Sequence, residues 1–92
     1  MLTKDSLGAV LRVLRSVRNL KVDDFVGRVD PTHVNNLENG KSSASIDTLE
    51  SLADVLNVHP LSLLLLSSSL GNDETPEDLL AEIKQELRQL RN

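Results

Sequence analysis

The sequence predicts an all-α domain, and three observations carry that prediction. Apolar residues recur at intervals of three and four along the 92 residues, and no segment alternates apolar and polar residues as a half-buried strand would. Helix start signals recur in order along the chain, at Asp30-Pro31, Ser45, His59-Pro60 and Thr75-Pro76. The only aromatic is Phe25, so the core must come from Leu, Val, Ile and Ala, and one domain of this length can close a modest core of that kind.

Leu7, Val10, Leu11, Leu14 and Val17 place a first helix over about Lys4 to Arg18, with Arg12, Arg15 and Arg18 at every third position. Asn19-Leu20-Lys21 breaks the pattern, and Val22 to Gly27 forms a short second helix. Asp23 and Asp24 fall in its first turn, where the helix dipole favours negative charge. The third helix has the clearest bounds: Asp30 as N-cap, Pro31 in the first turn, and Gly40 just past the end. At about 100° per residue, Val34, Leu37 and Glu38 fall on one side of it. Thr32, Asn35, Asn36 and Asn39 fall on the other, with His33 at the edge.

A fourth helix starts behind Ser45, buries Ile46, Leu49, Leu52, Ala53 and Leu56, and closes at Asn57. His59-Pro60 opens a fifth helix through the leucine run Leu61 to Leu66. The segment 67–75, SSSLGNDET, reads as a linker. Beyond it, a C-terminal helix over 76–92 places Leu80, Ile83, Leu87 and Leu90 on one stripe. That stripe is too short for a free coiled coil and must pack on the body or on a second copy. The expected organisation is therefore a domain over 1–66, a linker over 67–75 and a packing or dimerisation helix over 76–92.

Composition excludes several classes of function. The chain has no cysteine, which removes disulfides, thiolate metal sites and thiol catalysis. Lys4 and Asp5 stand where a signal peptide would need an apolar core, and the leucine run is far shorter than the roughly 20 helical residues of a membrane span. A cytoplasmic protein is expected. The carboxylate pairs Asp23/Asp24 and Glu77/Asp78 sit in first helical turns, which explains them without catalysis. No phosphate-binding glycine loop or metal-ligand spacing occurs, so no enzyme, metal or cofactor is expected. One aromatic is too few to stack single-stranded bases.

The formal net charge of −4 is unevenly distributed. Residues 1–41 hold seven Lys or Arg against five Asp or Glu, a net of +2. Residues 42–75 hold five acids and no base, and residues 76–92 hold four acids and three bases. A mildly basic N-terminal half is thus attached to an acidic remainder, an asymmetry that hints at a polyanion on one side.

The outward face of the third helix is polar but uncharged. Solvated helix faces usually carry Glu, Lys and Arg, which favour helix where Asn does not. The acidic second helix, the turn at Gly27 to Val29 and the Pro-started third helix together make a helix-turn-helix. Its second member would enter a DNA major groove, where an Asn amide can contact adenine N6 and N7 together.

LGAVLRVLRSVRNLKVDDFV, VDPTHVNNLENGK and SIDTLESLADVLNVHPLSLL together resemble the helix-turn-helix domain of phage Cro/CI repressors and bacterial XRE regulators. The resemblance runs from Leu7 to about Leu65. It implies a lambda-repressor-like five-helix domain, here with an extra C-terminal amphipathic helix. It implies an ion pair between Arg15 and Glu38, base reading by Thr32, His33, Asn35 and Asn36, and a phosphate-gripping loop of Asn39, Lys41, Ser42 and Ser43. Lys21 and Arg28, which bracket the second helix, join the candidate phosphate contacts. Two departures stand out. Val22 replaces a polar residue, often Gln, and only Gly27 and Arg28 stand between Phe25-Val26 and Val29-Asp30, where the family normally has four residues.

The expected function is a sequence-specific regulator that binds double-stranded DNA as a homodimer on a palindromic operator. Leu61, Leu64 and Leu65 of the leucine run, with Leu80, Ile83, Leu87 and Leu90, form the candidate dimer interface. The alternative is a protein-interaction module of the same fold, an antitoxin or anti-regulator with weak or partner-dependent DNA binding. The weak basicity, Val22 and the short turn favour it.

Overall fold

The structure is a computed structural model that describes residues 1–91; Asn92, the last residue of the expected C-terminal helix, lies outside the described residues. Thr3 starts the first helix. Its hydroxyl accepts the Ser6 N–H at 3.0 Å while the Ser6 hydroxyl accepts the Thr3 N–H at 3.0 Å. This reciprocal capping box opens α1 (Lys4–Val17). Asn19 then takes a left-handed φ of 60°, which asparagine tolerates better than most residues, and the chain reverses.

The expected second helix is shorter than its pattern implied. Val22–Phe25 forms a single 3-10 turn, not a helix running to Gly27. The backbone then leaves the helical path at Val26 (φ −52°, ψ 135°) and at Gly27, whose φ of 91° favours glycine. The short connection to α2 is thus made by a 3-10 turn and a glycine in the left-handed region together. Phe25, 1% exposed, holds the 3-10 turn against the core.

The helix that follows is α2 (Pro31–Glu38), capped by the Asp30 carboxylate, which accepts the Thr32 N–H at 2.8 Å. It ends as expected, with Gly40 at φ 70°. Ser45 caps α3 (Ile46–Leu56), its hydroxyl accepting the Thr48 N–H at 3.1 Å, and Asn57 closes it at φ 56°. His59 caps α4 (Pro60–Gly71) through Nδ1, which accepts the Leu61 N–H at 3.0 Å. Thr75 caps α5 (Pro76–Arg91) in the same way, accepting the Asp78 N–H at 3.1 Å.

The architecture is all-helical, as the sequence implied, but three further expectations change. First, residues 67–71 are not linker: α4 continues to Gly71. Ser67 and Ser69 are buried there, their hydroxyls donating to the carbonyls of Leu63 at 2.7 Å and Leu66 at 3.0 Å. Serine bonded back to its own helix can be buried without an unpaired hydroxyl, and α4 packs on α1. Second, Ile46 opens α3 but is 75% exposed, because the first turn stands outside the core. Third, Val17 is 71% exposed, since the last turn of α1 runs past the core's edge.

The core consists of Leu7, Val10 and Leu11 of α1, Phe25, Val29, Val34 and Leu37, then Leu49, Leu52, Ala53 and Leu56 of α3 and Leu63 of α4. In the leucine run, Leu63 is buried, Leu64 to Leu66 are half-buried and Leu61 is exposed. Among the described residues, no single helix is long and apolar enough to cross a membrane.

One contact sets how α1 meets α2. A Cβ built on Gly8 would lie 2.8 Å from the Glu38 carbonyl oxygen and closer still to that of Leu37. Both partners are backbone, so neither can rotate away. Gly8→Ala is expected to force the helices apart and to cost about 1–3 kcal/mol, the usual penalty of overpacking. Urea unfolding of the variant measures it, and an unchanged midpoint would show that the contact relaxes freely.

Candidate nucleic-acid interface

The candidate interface is built on α2, whose inner face is clamped. Val34 and Leu37 are buried at 1% and 0% exposure. Glu38, the third inward residue, is a carboxylate and needs a partner. Arg15 of α1 supplies it, with Nε 2.7 Å from Oε2 and Nη2 2.9 Å from Oε1. The remaining Nη1 donates to the Leu20 carbonyl at 3.1 Å. Donating these hydrogen bonds to the Glu38 carboxylate raises the Arg15 pKa above its ordinary value, so this guanidinium stays charged. Arg15 and Glu38 are therefore joined in the two-pronged geometry that makes an arginine–carboxylate pair directional.

The outer face is different. Thr32 and Asn35 are exposed and His33 and Asn36 half-buried. Among the described residues, none of these four side chains has a hydrogen-bond partner. They do not all face one way. His33 borders a shallow depression with Arg28, Asp30, Asp47 and Thr48, at the side of α2 nearest α3. Thr32, Asn35, Asn36 and Asn39 occupy the outward arc of the helix.

The loop after α2 brings Asn39, Lys41, Ser42 and Ser43 beside the start of α1. A Cβ on Gly40 would overlap the Asp5 carboxylate, and Ser43 shares a depression with Lys4. Asn39 is not free: its Oδ1 accepts a hydrogen bond from Arg12 Nη2 at 3.0 Å. Arg12 also lies 3.6 Å from Glu38 Oε1. Sequence reasoning missed both Lys4 and Arg12 at this edge. The every-third-residue arginines of α1 were a signal, but only the crossing of α1 over α2 shows which of them reaches the loop.

The two cations bracketing the 3-10 helix are separately disposed. Lys21 is exposed, and its backbone N–H caps that turn by donating to Asp24 at 2.7 Å. The Arg28 guanidinium is paired with Asp54 of α3, in a depression that also includes Glu50. Arg18 is also engaged, donating to the Leu56 carbonyl at 3.0 Å at the end of α3.

A second surface lies away from α2. Leu61, Leu64 and Leu65 of α4 line an apolar groove with Leu2 and with Leu79, Leu80 and Ile83 of α5. No residue of α5 is buried, and Leu80, Leu87 and Leu90 are 40%, 48% and 82% exposed.

Residues 10–63, more than half of the chain, match a protein-family model described as helix-turn-helix. No curated protein and no solved structure matches the chain. The matched span includes Arg15, the whole of α2 and the loop after it, and stops inside α4.

The clamp behind α2 can be tested by itself. Arg15→Met leaves the buried Glu38 carboxylate with only the partly solvated Arg12 nearby, and should destabilise the fold by about 3 kcal/mol. Arg15→Met combined with Glu38→Leu removes the stranded charge and should recover most of that loss. Denaturant midpoints of the wild type and both variants decide it; a double variant no more stable than the single one would contradict the ion-pair account.

Proposed function

Because the chain belongs to the Cro/CI-type (XRE) family of helix-turn-helix DNA-binding regulators, we propose that it is a cytoplasmic, sequence-specific transcriptional regulator. In this reading it binds double-stranded DNA as a homodimer on a palindromic operator. The observation that carries the proposal is the outward arc of α2. There Thr32, Asn35 and Asn36 present a hydroxyl and two amides without internal partners, on a helix clamped from behind by Arg15 and Glu38. Unpaired donors and acceptors held on a rigid support suit base edges.

Thr32, Asn35 and Asn36 read bases in this proposal, and His33 reads at the flank. Asn39, Lys41, Ser42 and Ser43 grip the phosphate backbone, with Lys21 as an outlying contact. Arg28 joins them only by giving up Asp54, so its contribution is the smallest. A single α2 covers few base pairs, and two copies on half-sites about 34 Å apart supply the affinity. The partner copy covers the exposed and half-buried apolar residues of α4 and α5: Leu61, Leu64, Leu65, Leu80, Ile83, Leu87 and Leu90.

A second reading rests on the same leucines. A different protein could cover that face, making the chain an interaction module whose DNA binding depends on its partner, as in an antitoxin or anti-regulator. The acidic stretch 42–75 and the engagement of Arg28 by Asp54 favour it.

Selection from random duplex DNA separates the two readings. The regulator reading expects a two-fold symmetric motif and an affinity that falls steeply with salt; no enriched motif would exclude it. Asn35→Ala and Asn36→Ala should each relax preference at single base positions by about 1–3 kcal/mol. Lys41→Ala should weaken all sequences alike. Leu87→Glu, at an exposed position, should leave the fold intact and give a monomer by sedimentation; a persistent dimer would place the interface elsewhere.

A further inference from the structure

The phosphate-gripping surface does not end at the loop after α2; we infer that Arg12 of α1 is a fixed phosphate ligand that extends it. This inference rests on the reading of α2 as the DNA-reading helix.

The argument begins with which arginines are free to act. Arg15 is held by Glu38 through two nitrogens and by the Leu20 carbonyl through the third. Arg18 donates to the Leu56 carbonyl, and Arg28 is paired with Asp54. Arg12 is the remaining arginine of the N-terminal half. One of its Nη2 hydrogens goes to the neutral Asn39 amide at 3.0 Å. Its nearest carboxylate, Glu38 at 3.6 Å, is already satisfied by Arg15. The Arg12 side chain remains 59% exposed. A guanidinium has five N–H donors in a rigid fork, so most of this one's donors still face solvent.

Its position is also constrained. The bond to Asn39 ties the guanidinium to the C-cap residue of α2, at the start of the loop that carries Lys41. That bond occupies the Asn39 oxygen and leaves its NH2 group as a donor beside the guanidinium. The two groups thus place donors side by side for one anion, and arginine is well matched to phosphate oxygens.

Local charge points the same way. Along this edge Lys4, Arg12, Arg15 and Lys41 stand against Asp5 and Glu38, four cations to two carboxylates. Half of the net positive charge there is Arg12. A chain of net charge −4 needs such a focus to hold a polyanion.

The bland role for Arg12 is to stabilise the C-terminal end of α2, where the helix dipole favours a cation. The two roles differ in salt dependence. Binding of the full chain to its selected duplex is measured from 0.05 to 0.5 M salt for wild type, Arg12→Gln and Arg12→Lys, with urea unfolding in parallel. Loss of one phosphate contact lowers the slope of log affinity against log salt by about 0.9 per half-site, which at 0.1 M is roughly an eight-fold weaker half-site. Arg12→Gln should show that change on every sequence alike, and Arg12→Lys should restore most of the slope. An Arg12→Gln variant that is less stable yet keeps the wild-type slope overturns the phosphate role while leaving the regulator reading intact. A wild-type chain that binds no duplex overturns that reading, and this inference with it.

Discussion

The crossing of α1 over the C-terminal end of α2 is the constraint on which the rest of the molecule depends. At that crossing Gly8 brings the α1 backbone against the Leu37 and Glu38 carbonyls. Two turns further along, Arg15 closes on the Glu38 carboxylate. The glycine sets the separation and the ion pair sets the rotation. An arginine–carboxylate fork tolerates little angular error, so α2 can present its outer arc in one orientation. Leu7 and Leu11 from α1 and Val34 and Leu37 from α2 fill the space between them.

That clamp explains how the fold absorbs its shortened second helix. A full α-helix before α2 would normally help to fix its angle. Here the segment is one 3-10 turn anchored by Phe25, followed by an extended residue and a glycine in left-handed conformation. Of the 3-10 turn itself only Phe25 is buried. The position of α2 is therefore carried by α1 behind it, with Arg28–Asp54 adding a tether to α3 on the other side. The same tether explains why the basic half of the chain is less basic at its surface than a residue count implies.

At the far side, α4 works as a core helix and as a platform. Its buried Ser67 and Ser69 keep their hydroxyls within the helix, while Leu61 and the half-buried leucines face α5 and solvent. α5 packs on α4 alone among the elements with substantial contact, and the longest dimension of the molecule, 46 Å, is twice the others. A helix with no buried residue gains little from the body it sits on.

Much of this was legible from residue order. The bounds of α2 were written by Asp30, Pro31 and Gly40, and its inward face by Val34, Leu37 and Glu38, because caps and periodicity act within a few residues. The all-helical class and the helix-turn-helix followed from the same local rules. What the chain did not reveal by itself depended on neighbours distant in sequence. Serines 67 and 69 read as linker, yet a helix packed on α1 makes burial possible once their hydroxyls bond backward. Ile46 and Val17 fit the apolar periodicity but fall beyond the core's edges, which only the packing defines. Arg12, Arg15, Arg18 and Arg28 are alike as residue types, yet one meets a loop amide, one a buried carboxylate, one a helix end and one an acid of α3. Charge and pattern are properties of a sequence; which partner each charge meets is decided by the crossing of helices, since electrostatic and hydrogen-bond contacts act over a few ångströms that tertiary structure alone brings together.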